Sequence, residues 1–147
     1  MAEFKLKADG KPKQLKLTAK SPRKEWHEQR YIFEWAKLHE GQEPRLALLS
    51  GSMNGLQVSN PAIIVRAKLC GLKPGYPDIF LPVQRFPENG LFIELKAKDY
   101  KRGKTPTKHE RNQDWWAAKL RAQNYQVETC CGADAAIAVI KGYLEME

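Results

Sequence analysis

Asp78, Glu94 and Lys96 are the side chains whose types and spacing point to chemistry. Ile79, Leu81 and Val83 alternate along one stretch, which leaves Asp78 on the opposite side from these apolar residues. Farther on, Leu91, Ile93, Leu95 and Ala97 alternate with Phe92, Glu94 and Lys96. Between them, Pro87-Glu88-Asn89-Gly90 has the composition of a tight reversal. The pattern predicts a two-strand hairpin from Gly75 to Lys96. Pairing the strands core to core brings Asp78, Glu94 and Lys96 onto one polar face. Two carboxylates and an ammonium together are a costly way to stabilise a sheet. They are a good way to hold a divalent metal beside a water molecule. Mg²⁺ or Mn²⁺ would take oxygens from Asp78, Glu94 and the Leu95 carbonyl and keep several waters. The single residue between Glu94 and Lys96 is forced, because only alternate residues share a face. Lys96 could orient the attacking water, accept its proton, or neutralise charge growing on a phosphate, and the sequence leaves all three open.

The elements that must position these groups follow from periodicity and end signals. Ser21-Pro22 reads as a helix start, running to about His39 before Gly41. Glu28, Ile32, Trp35 and Ala36 share its apolar stripe, so Glu28 points inward and needs a partner; a metal or a lysine would serve. Residues 45 to 50 read as a strand, 51 to 55 as a turn, and Pro61 to Cys70 as a short helix ending at Gly71. Thr107 and Glu110 fit a capping box for a helix that carries Gln113, Trp116, Ala117 and Leu120 on one face. A strand from Tyr125 to Cys130 and a closing helix from Ala133 to Leu144 complete the order.

Net charge is +8, and it is unevenly placed. Residues 1 to 24 hold a local +6 and residues 96 to 111 a local +5, so the remainder is net negative. Two concentrated basic segments suggest a polyanion partner. Lys98, Lys101, Arg102, Lys104 and Lys108 are expected to grip its phosphates. The hydrophobic share of 42% fits a folded chain, and at 147 residues one domain is expected, with residues 1 to 20 as a basic arm. No apolar run approaches the ~20 residues that span a bilayer. The charged start lacks an apolar signal segment, which predicts a cytoplasmic protein. Three cysteines without zinc spacing read as buried or half-buried thiols. The four tryptophans read as core or interface residues, and the three histidines show no metal-site spacing.

Pro77-Asp78, then Glu94-Leu95-Lys96, matches the PD-(D/E)xK nuclease pattern. With the flanks Gly71 to Pro82, Leu91 to Lys96, Gln113-Asp114-Trp115-Trp116 and Tyr125-Gln126-Val127, the chain resembles the VRR-NUC family of virus-type replication and repair nucleases. The resemblance covers residues 21 to 146. It implies an α/β restriction-endonuclease-like fold with a mixed central sheet flanked by helices. It also implies metal-dependent hydrolysis of DNA phosphodiesters, selective for branched or structured DNA. The family's helical glutamate falls on Glu28, its metal aspartate on Asp78, its strand acid and lysine on Glu94 and Lys96, and its helix-head glutamine on Gln113. The family usually has serine or threonine three residues before that glutamine; here position 110 is glutamate and Thr107 lies six before, so the helix is expected to begin earlier. Asn124 stands where glycine is usual, and asparagine tolerates the same left-handed backbone. A homodimer that resolves four-way junctions is one expectation, because two-fold DNA suits a two-fold protein. A flap or nicking nuclease is a second, and a catalytically silent DNA-binding or assembly factor a third.

Overall fold

The computed structural model describes residues 25–52 and 60–147. The expected basic arm, the Ser21-Pro22 helix start and the later part of the 51–55 turn lie outside the described residues. The elements run α1 (Glu25–His39), a 3-10 helix (Pro44–Leu48), β1 (Ser50–Gly51), α2 (Pro61–Leu69), β2 (Ile79–Leu81), β3 (Leu91–Lys96), α3 (Lys108–Ala122), β4 (Gln126–Cys131) and α4 (Ala133–Leu144). The strands form a mixed sheet in the order β1-β2-β3-β4. The first two pairings are antiparallel and β3 runs parallel to β4, the link that needs α3 as its crossover.

The two faces of the sheet differ. Ile79, Leu81, Leu91, Ile93 and Leu95 join Ile32 and Ala36 of α1 and Ala136, Ile140 and Leu144 of α4 in the apolar core. The other face carries aromatic rings at one end: Phe80 stacks on Phe92 at 4.3 Å, and Tyr76 bridges Phe92 to Trp116 of α3. Toward the C-terminal end of β3 that same face turns polar, with Glu94 and Lys96. Every residue of β3 is buried, as a central strand covered on both sides requires.

Several sequence expectations change. Residues 45 to 50 do not form a long strand. Pro44 starts a 3-10 helix, capped by Glu43, whose carboxylate accepts from the Arg45 N–H at 3.1 Å and binds its guanidinium. Leu46 and Leu49 are buried three apart, the period of that helix, and Leu48 is outside. The hairpin reversal lies earlier than Pro87–Gly90: Arg85 and Glu88 exchange backbone hydrogen bonds of 2.9 and 2.7 Å across Phe86-Pro87. Cys70 and Cys131 are exposed, and Cys130 alone of the three is buried. Of the tryptophans, Trp35 packs against the core, while Trp26 and Trp115 are largely exposed. The other boundaries fall within a residue or two of the periodic reading. Asn124 does adopt the left-handed conformation, at φ +59°. Among the described residues no helix is long and apolar enough to cross a membrane.

Candidate functional site

Asp78 immediately precedes β2, and the register of β2 on β3 sets Ile79 opposite Ile93 and Phe80 opposite Phe92. The Asp78 N–H donates to the Ile93 carbonyl at 3.1 Å, and its Oδ2 accepts from the Leu95 N–H at 2.8 Å. The carboxyl group is thereby tied to the backbone at the centre of Glu94-Leu95-Lys96. Glu94 and Lys96 are 8% and 7% exposed, a degree of burial that ionisable groups tolerate only when partnered. Lys96 Nζ lies 3.4 Å from Glu94 Oε1 and donates to Gln113 Oε1 at 2.8 Å. Gln113 Nε2 donates in turn to Glu94 Oε1.

Two backbone devices bring α3 to this face. Thr107 and Glu110 form the capping box: Thr107 Oγ1 accepts from the Glu110 N–H at 3.1 Å, and Glu110 Oε2 accepts from the Thr107 N–H at 2.6 Å. Gly75, at φ +78°, lets the chain touch α3. A Cβ there would stand 2.8 Å from the Asn112 carbonyl carbon and 2.9 Å from the Gln113 nitrogen. The glycine thus sets how closely Gln113 approaches the strands.

The electrostatics are those of crowded acids. Burial pushes the Asp78 carboxyl above its usual range, opposed by the Leu95 N–H and reinforced by the charge of Glu25. Glu94 is pushed up to about 8, first by burial and then by the Asp78 charge, with Lys96 opposing. Two buried carboxylates at close range, one already disposed to keep a proton, are a donor set that a hard divalent cation would relieve. Among the described residues no three Asp, Glu, His or Cys side chains gather as a metal cluster by themselves. Asp78 and Glu94 would need a backbone carbonyl and waters to complete a shell, as Mg²⁺ commonly uses.

Glu28 has a structural partner that the sequence did not announce. It is inward and 2% exposed, as its stripe predicts, and its Oε2 accepts from the Ala133 N–H at 2.8 Å. Ala133 opens α4, whose cap residue Gly132 has no side chain to offer. Glu28 supplies that cap from 105 residues away. The hydrogen bond occupies one carboxylate oxygen of Glu28, so the glutamate that the family pattern assigns to the site also holds the start of α4. Glu25, one turn earlier, is the α1 carboxylate whose charge acts on Asp78.

The basic loop is also more committed than its composition suggests. Arg102 forms a two-pronged pair with Asp114 of α3, at 3.0 and 2.6 Å. Lys98 lies 3.9 Å from Asp134, both well exposed. Lys101, Lys104 and Lys108 are exposed. Tyr100, not anticipated, hydrogen-bonds Glu110 and sets its ring 5.2 Å from Lys96 Nζ. A cavity of about 510 Å³ opens from Glu94 and Lys96 between α3 and β4, bordered by Tyr100, Arg102, Gln113 and Thr129.

Comparison with known proteins places this architecture. A solved "VRR_NUC domain protein" superposes with a TM-score of 0.66 over 86% of this chain and 92% of its own, at 24% identity. The chain shares that protein's fold. No family model and no curated protein matches the sequence.

Proposed function

We propose that the protein is a divalent-metal-dependent endonuclease acting on branched or otherwise structured DNA. The observation that supports this most is the closed group on one sheet face: Asp78 bound to the Leu95 N–H, Glu94 beside it, and Lys96 joined to Glu94 through Gln113. Such a group is a costly way to hold a sheet together, and it sits in the fold of a VRR_NUC domain protein. Asp78, Glu94 and the Leu95 carbonyl would hold Mg²⁺ or Mn²⁺, with Glu28, which also caps α4, completing the site directly or through water. Once bound, the ion would lower the pKa of a water and offset charge on the scissile phosphate.

The chain's own residues divide the remaining work. Lys96 donates to Gln113 and lies beside Glu94, which positions it to orient the attacking water and to stabilise charge on the phosphate. Gln113 keeps that ammonium from collapsing fully onto Glu94. Lys98, Lys101, Lys104 and Lys108 supply phosphate contacts along the duplex flanks, which give affinity without base specificity.

The test is cleavage of a labelled four-way junction, a flap and a plain duplex, each with Mg²⁺, Mn²⁺ or chelator, beside sedimentation of the free protein. Cation-dependent cutting that favours a branched substrate is expected. A dimer in solution with paired cuts across the junction would specify a junction resolvase; a monomer cutting one strand would specify a flap or nicking nuclease. DNA binding with no cleavage in either cation would leave the silent binding factor.

A further inference from the structure

The geometry points to His109 as a positioning residue that fixes the Gln113 amide and, through it, Lys96. Its kinetic consequence rests on the nuclease reading; the hydrogen bond itself does not. Lys96 Nζ can only donate, so the Gln113 atom 2.8 Å from it is the carbonyl oxygen, Oε1. The amide nitrogen then faces the other way, with two hydrogens and no lone pair to share. One hydrogen goes to Glu94 Oε1. The second meets His109 Nε2 at 2.9 Å. His109 Nε2 must therefore be the accepting nitrogen of this pair, with the ring proton on Nδ1.

The placement is local to this sequence. His109 lies four residues before Gln113, so the two side chains meet on one helix face. It belongs to a first turn of α3 that exists because Thr107, rather than residue 110, caps the helix. The capping box and the Tyr100 hydrogen bond to Glu110 hold that turn in place. Remove the imidazole, and one hydrogen of the amide loses its protein acceptor. The amide is then freer to rotate, and its flipped form sets an NH₂ against the Lys96 ammonium, donor against donor. His109 thus adds a third hold, beside those of Lys96 and Glu94, on the rotamer in which Lys96 is anchored.

Two measurements on the full chain test this. The first is the nitrogen NMR spectrum of the His109 ring, which reads the tautomer whether or not the protein cuts DNA. The proton is expected on Nδ1; a proton on Nε2 overturns the assignment. The second is the kinetics of His109→Ala and His109→Gln on the substrate the wild type cuts. His109→Ala should lower kcat about tenfold, with KM, DNA affinity and thermal unfolding unchanged. His109→Gln, which keeps an acceptor oxygen at similar reach, should recover most of that loss. An unchanged kcat in His109→Ala overturns the proposal. So does a loss confined to DNA affinity, which would make His109 a direct phosphate contact. A wild-type protein inactive on all DNA would count against the nuclease reading, while the ring spectrum would still decide the hydrogen bond.

Discussion

At the scale of single residues, Lys96 and Asp78 have no substitutes. Lys96 is the ammonium buried against Glu94 and Gln113, and Asp78 holds the Leu95 N–H. Lys96→Ala and Asp78→Ala should each reduce cleavage by about 10²–10⁴-fold, with DNA binding largely kept, as single-turnover assays and a binding isotherm would show. Near-wild-type cutting by Lys96→Ala would remove its role. Glu94 makes a pH prediction. Its carboxyl is raised from 4.5 to about 8, so between those values the folded protein holds a proton that the unfolded chain has released. The stability this contributes is fully present below 4.5 and is lost as pH rises through about 8. A cation must displace that proton, so Mn²⁺ affinity should rise with pH toward 8 and fall off below it. Calorimetry in buffers of different ionisation enthalpy should find about one proton released per ion near neutral pH. The residue pattern of the hairpin was legible because period-two alternation sorts side chains to faces without knowledge of the partner strand. Glu28 was legible as inward-facing but not as a helix cap, since nothing local announces a partner 105 residues on.

At the scale of elements, the site is set by how closely α3 meets the strands. Gly75 permits that contact, so Gly75→Ala should destabilise the fold by about 1–3 kcal/mol through overpacking and a strained positive φ. It should also cut activity by displacing Gln113, seen as a lowered denaturant midpoint together with a lowered kcat. Glu28→Ala uncovers the buried first turn of α4 and should cost about 1–3 kcal/mol. The denaturation midpoint would read that loss, and an unchanged midpoint would mean the cap contributes nothing. The capping box at Thr107–Glu110 was readable because its four residues carry the whole signal. The 3-10 helix at Pro44–Leu48 was not, because Leu46 and Leu49 lie within an apolar run that fits a strand as readily. Gly75 gave no sign of its role either, since its neighbour Asn112 is remote in sequence and the close approach exists only once α3 docks.

For the whole molecule, the arrangement of charge bears on substrate more than on fold. The +8 net charge and the exposed Lys98, Lys101, Lys104 and Lys108 predict DNA affinity that falls steeply with salt. Replacing Lys101 and Lys104 by alanine should shrink the logarithmic salt slope by about 0.9 per lost phosphate contact, at little change in preference among sequences. Arg102→Ala should act differently, through the loop it anchors to Asp114, and leave the slope nearly unaltered. The mixed sheet flanked by helices was foreseeable from the family resemblance. The split of the sheet into an apolar face and an aromatic-to-polar face follows from β3 alone, where Leu91, Ile93 and Leu95 oppose Phe92, Glu94 and Lys96.

The central claim, that Asp78 and Glu94 form one cation site beside Lys96, is most directly tested by anomalous scattering from a crystal soaked in Mn²⁺. A peak is expected within ligand distance of both carboxylates and of the Leu95 carbonyl, and it should vanish in Asp78→Ala. Density at these carboxylates with no anomalous signal at saturating Mn²⁺, or a bound ion elsewhere that leaves them untouched, would contradict it.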